Sequence, residues 1–245
     1  MHSTPTHAHR KHRTMSITTR QPVTTTSTDD RSSRIGGAAA VVAALTFVFG
    51  IVMFATGMSD YTTGDPSPAE SVDFLVAHQG SLFVWYLVIF LVFGIALVPL
   101  ALALHRRLAP ATPMLATTAT AFGLIWAGLM FATGMIENIG IEVVADLAGS
   151  HPGDAPAVWS SIDAVTNGLG GGNELLGGLW IGLISLAALA SGTLPKALNW
   201  LGVATAVAGL ATLTPGFEAA EMVFGLGSIA WFVWIGAALL RNRTA

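Results

Sequence analysis

Eight oxygen-bearing side chains stand just beyond the ends of long apolar runs: Asp60, Glu137, Asn138, Glu142, Asn173, Glu174, Glu218 and Glu221. Carboxylates and amides are the donors hard cations prefer, so a set converging from several helices would hold a positive charge. From this pattern the candidate site is Glu137, Asn138, Asn173, Glu174, Glu218 and Glu221. The same residues also have a plainer reading as solvated interface groups. Asn173 suits a helix N-cap and Glu174 a first-turn acid favoured by the helix dipole. His78 and His151 fall on the same side of the chain, but neither has a second His at i+4 or any ligand spacing. They read as surface residues, and no metal site is expected.

The chemistry that is missing narrows the function further. There are no cysteines, which removes disulfides, thiolate catalysis and Cys-bound zinc or iron-sulfur clusters. No nucleophile elbow, zinc-protease helix, P-loop or dinucleotide fingerprint occurs in a supporting context. An enzyme is therefore not expected, and neither is a cofactor.

The elements that would position these groups are membrane spans. Of the 245 residues, 53% are hydrophobic and 10% charged, against roughly 25% charged in a soluble domain. The apolar residues form six runs of span length: Ile35 to Met58, Ser81 to Leu104, Met114 to Ile136, Leu175 to Ser191, Ala197 to Leu213 and Met222 to Leu240. None contains Asp, Glu, Lys, Arg or His. With six crossings and a cytoplasmic N-terminus, all 11 Lys and Arg residues fall inside, from Arg10 through Arg106, Arg107 and Lys196 to Arg243, as the positive-inside rule requires. Of the 14 acidic residues, only Asp29 and Asp30 share that side. The net charge of -3 thus conceals an acidic outer face that attracts cations. Proton relays and voltage sensors need ionisable groups within their spans; here there are none.

The fold expected is all-α, a polytopic six-transmembrane-helix bundle built of three tandem helical hairpins. Residues 1–33 read as a disordered cytoplasmic tail with a His tract at its start, and residues 34–245 as the membrane domain. The string MFATGM occurs at Met53 to Met58 and again at Met130 to Met135, which suggests parallel repetition of the first two hairpins. Short surface helices are expected in the first two outer loops. One starts at the capping box Ser67-Pro68-Ala69-Glu70 and ends at Gly80. The other starts near Asp154 and ends near Gly168. Gly178 and Gly182 form a close-packing pair whose partner is another helix of the bundle or a second copy of the chain. Trp85 and Trp200 suit an interfacial belt, and Trp126, Trp231 and Trp234 suit the packed interior.

The stretches GGNELLGGLWIGLIS at Gly171 to Ser185, SGTLPKALNWLG at Ser191 to Gly202 and FGLGSIAWFVWIG at Phe224 to Gly236 carry a resemblance over residues 171–240. They resemble a group of multi-pass bacterial proteins, actinobacterial in type, known only by a domain of unknown function. That resemblance implies membrane topology and no activity. The chain accordingly reads as an integral protein of the bacterial inner membrane with both termini cytoplasmic. Its partners are the lipid bilayer and a second copy or membrane partner at Gly178 and Gly182, not nucleic acid. The role expected is a non-enzymatic structural, partner or sensor component; the alternative is a small permease or channel for a neutral or cationic solute entering from the acidic face.

Overall fold

The structure, a computed structural model, describes residues 26–58, 66–170, 173–214, 216–217 and 219–241. All of its regular elements are helical: α1 (Thr26–Met53), α2 (Pro68–Tyr86), α3 (Phe93–Leu108), α4 (Pro113–Ser150), α5 (Ala155–Gly170), α6 (Asn173–Ser191), α7 (Lys196–Ala211) and α8 (Ala219–Arg241). A π-helical turn, Phe54–Met58, extends α1, and another, Leu87–Val92, joins α2 to α3. Five helical stretches are long and apolar enough to cross a membrane: Asp30–Gly57, Pro68–Leu108, Pro113–Ser150, Ala155–Ser191 and Ala219–Arg241. The remaining apolar run forms α7, whose 16 residues reach only about 24 Å at helical rise. The chain is thus an all-α membrane protein. Helix α1 begins at Thr26, inside the stretch that composition assigns to the tail; residues 1–25 lie outside the described residues.

Six helices close into a ring. α1 packs on α3, α3 on α4, α4 on α6, α6 on α7, α7 on α8, and α8 returns to α1. Lipid supplies no hydrophobic drive between helices, so small residues and close contact must hold such a ring. The α6–α7 seam shows how: a Cβ on Gly178 would lie 3.1 Å from the Ala206 carbonyl oxygen, and one on Gly182 would lie 2.9 Å from the Ala206 Cβ. The turn between these helices uses Gly192 at φ 66°, the left-handed conformation that ends a helix cheaply only at glycine. Lys196 then opens α7 behind Pro195. Arg107 ties the end of α3 to this turn by donating to the Thr193 carbonyl at 3.1 Å.

The ring is filled at mid-depth by an aromatic layer. Phe93 of α3 meets Trp126 of α4 edge to face at 4.9 Å, Trp126 lies 6.0 Å from Trp180 of α6, and Trp180 meets Trp231 of α8 at 5.5 Å. Phe232 closes the set at 5.9 Å from Phe93 and 5.4 Å from Trp231. All five are fully buried, and edge-to-face rings of this kind add to the burial of their large surfaces. Trp126 and Trp231 are interior residues as expected. Trp234 is not: it is 40% exposed, because the α8 face that holds Trp231 and Ile235 turns it outward.

A second, smaller core lies beyond one end of the ring. Val72, Leu75, Leu82 and Tyr86 pack with Ile141, Val144, Ala155 and Trp159. The expected capping box is present: Ser67 N–H donates to Glu70 Oε2 at 2.8 Å and Glu70 N–H donates to Ser67 Oγ at 3.3 Å. The expected stop at Gly80 is absent. α2 bends at His78 (φ -124°, ψ 21°) and continues into the π turn and α3, so the surface helix and the second span are one bent helix. Packing of Leu82 and Tyr86 in the same core as Val72 and Leu75 carries the helix past a glycine whose intrinsic cost is only about 1 kcal/mol. α4 likewise extends to Ser150, and α5 forms the second expected outer helix.

Candidate functional site

A cavity of about 410 Å³ opens between α1, the bent α2–α3 helix, α6 and α8. Asn173 and Glu174 from the first turn of α6 and Glu221 from the first turn of α8 line it at the end of the ring. Its walls are apolar and aromatic: Phe47, Gly50 and Ile51 from α1, then Trp85, Ile89, Phe90 and Phe93 from the bent helix. Thr46 is its one hydroxyl, and it donates to the Ala43 carbonyl of its own helix at 2.8 Å. Phe93 belongs both to the cavity wall and to the aromatic layer. The cavity therefore runs inward from the acidic end and meets that layer.

Local structure explains why these side chains arrive together. The π turn Leu87–Val92 contributes Ile89 and Phe90; π turns insert an extra residue into a helix and recur at functional sites. Asn173 is fixed from the far side, its Oδ1 accepting from the buried Trp126 indole at 2.5 Å. This bond links the cavity to the aromatic layer. The Glu174 backbone carbonyl is pressed against Gly209 of α7, where a Cβ would lie 2.5 Å from its oxygen.

Of the six residues predicted as an outer polar site, Asn173, Glu174 and Glu221 thus share one cavity. Glu137 does not join them. It is buried on α4, faced by the Thr166 hydroxyl, the Tyr86 phenol and the Asp163 carboxylate, within the smaller core beyond the ring. Its Oε2 and the Oδ1 of the adjacent Asn138 are buried without a hydrogen-bond partner among the described residues. Glu142 is exposed. Glu218 and Asp60 lie outside the described residues. Among the described residues, the single ring of oxygen donors read from the sequence is therefore two separate places, because α4 extends well past the apolar run and carries Glu137 into the smaller core.

His78 is exposed and stacks on Phe74 at 4.1 Å between centroids, with its Nδ1 2.9 Å from the Phe74 carbonyl. His151 is exposed at the end of α4. Both are surface residues, as their spacing implied. Among the described residues no group of three His, Asp or Glu side chains is arranged to hold a metal ion. Sequence reasoning did not single out His105, which lies 3.0 Å from the Thr120 hydroxyl and joins α3 to α4. Nor did it find the cavity walls Phe47, Trp85 and Phe90, since an aromatic within an apolar run carries no mark that distinguishes a wall from packing.

Fold and cavity together define an all-α membrane protein with a half-open, acid-fringed chamber in its helix ring. The chain belongs to the family described as a domain of unknown function, DUF4386, whose profile matches residues 35–237. No curated protein matches the chain. No solved structure matches it either.

Proposed function

We propose that the protein is a non-enzymatic component of the bacterial inner membrane that takes a small solute into its cavity from the outer face and acts as a sensor or partner subunit. In this reading the chain crosses the bilayer six times as three hairpins, α7 serving as a short fifth span, with both termini in the cytoplasm. Placement of every Lys and Arg on one side supports that orientation. The single observation carrying the functional reading is the shape of the cavity: about 410 Å³, within the range of ligand pockets, mostly apolar with a few convergent polar groups. It reaches as far as Phe93 and Thr46 and meets a layer of fully buried rings. A blind chamber of this kind binds and does not conduct.

The same depth favours a second reading, a small permease in which the aromatic layer parts during transport. Mass spectrometry of small molecules retained by the purified chain tests the binding function. A solute should be retained by the wild type and lost from Gly50→Phe, which fills the chamber at a wall position. Equal recovery from both rejects the reading. Accumulation of that solute in proteoliposomes would select the permease.

A further inference from the structure

We propose that the cavity is a site for an organic ammonium ion with an apolar body, its charge set between Glu174 and Glu221 and its body against the aromatic walls. The inference rests on the cavity being a ligand site and adds the class of ligand.

Four observations carry it. First, Glu174 and Glu221 come from different helices and border the same chamber, while none of the lining residues is basic. A first-turn position accounts for one acid on each helix. It does not account for two carboxyl groups from different helices bordering one apolar chamber that has no basic residue in its lining, an arrangement that a cation between them would balance. Second, the chamber is walled by Phe47, Trp85, Phe90 and Phe93, and aromatic faces attract desolvated cations, quaternary ammonium groups above all. Third, a metal ion fits poorly. The described residues hold no three-ligand cluster, and hard metals want six or more oxygens. Fourth, the Trp85 indole N–H is buried at the wall without an acceptor among the described residues, close to Gly50. A hydroxyl, ether or carbonyl oxygen on the ligand would satisfy it. Trp85 also stands two residues before the π turn that supplies Ile89 and Phe90, so backbone irregularity and chamber coincide.

The test titrates the full-length protein in detergent with benzyltrimethylammonium and with its uncharged carbon isostere, neopentylbenzene. The wild type should bind the ammonium at least tenfold more tightly than the isostere. Glu174→Gln with Glu221→Gln should abolish that preference while leaving affinity for the isostere within about twofold, and Trp85→Leu should weaken the ammonium alone. Equal binding of both compounds by the wild type, or a preference that survives the double Gln variant, overturns the cation inference and leaves the cavity as a neutral ligand site. Binding of neither compound overturns the inference together with the reading of the cavity as a ligand site. If the double variant does not fold, the wild-type preference decides alone.

Discussion

At the scale of single residues, the Trp126–Asn173 hydrogen bond joins the two functional parts of the molecule. It is made at 2.5 Å by an indole with no solvent exposure, while its acceptor Asn173 borders the cavity. Trp126→Phe should lower stability by about 0.5–1.5 kcal/mol, the net worth of one hydrogen bond whose acceptor the cavity can rehydrate, read as a lower midpoint in thermal unfolding of the solubilised protein. A midpoint unchanged from wild type would mean that Asn173 finds another donor. A second residue-scale prediction concerns Gly202, where α7 meets the aromatic layer. A Cβ there would collide with Ser185 Oγ and lie 2.6 Å from the Trp231 indole nitrogen. Gly202→Ala should destabilise by about 1–3 kcal/mol through overpacking, and the same unfolding experiment checks it. Asn173, Glu174 and Glu221 were legible in the sequence because polar residues at the ends of apolar runs are rare and must be placed somewhere. Phe47 was not, for it differs from core residues only in what faces it, and Trp85 read as a belt residue where the structure makes it a cavity wall.

At the scale of elements, the end of the bundle that holds the smaller core owes its order to two local signals and one tertiary one. The Ser67 capping box starts α2, and the hydroxyl of Ser67 also lies 2.8 Å from Glu70 Oε2. Ser67→Ala should raise hydrogen exchange of the first α2 amides roughly fivefold, as expected for a lost N-cap, without changing exchange in α7 or α8. Uniform acceleration across the chain would instead show that the cap is coupled to global unfolding. The start of this helix was readable because capping chemistry is local. Its end was not, since burial of Leu82 and Tyr86 against α4 and α5 overrides a glycine and pushes the irregularity into a bend at His78 and a π turn at Leu87–Val92. The MFATGM strings make the same point. In the first copy, Phe54–Met58 is a π turn with Thr56 donating to the Val52 carbonyl at 2.7 Å. In the second copy the segment is regular α-helix within α4, and Thr133 is buried. Identical residues take different backbone forms because their surroundings differ.

At the scale of the whole molecule, the aromatic layer inside the ring of six helices divides the chamber on the acidic side from the rest of the interior. The division depends on large side chains with few alternatives. Trp180 touches both Trp126 and Trp231 and is fully buried. Trp180→Ala should cost about 3–5 kcal/mol and open a gap in the layer. Stability would fall and, in proteoliposomes, small cations would leak; a variant that stays both stable and tight would show that the layer is not the seal. Overall helicity, membrane character and most helix boundaries were legible from hydropathy, because lipid imposes long uncharged runs. The order in which helices close the ring was not, since small residues such as Gly178, Gly182 and Gly209 mark close approach without naming the neighbour.

The central claim is that the chamber faces outward and the basic end faces the cytosol. Because the chain contains no cysteine, a single introduced thiol reports without background. In intact cells, a membrane-impermeant maleimide should label Glu221→Cys at the chamber mouth, and should label Lys196→Cys at the start of α7 only after the cells are permeabilised. Labelling of Lys196→Cys in intact cells, with Glu221→Cys protected, would contradict the account.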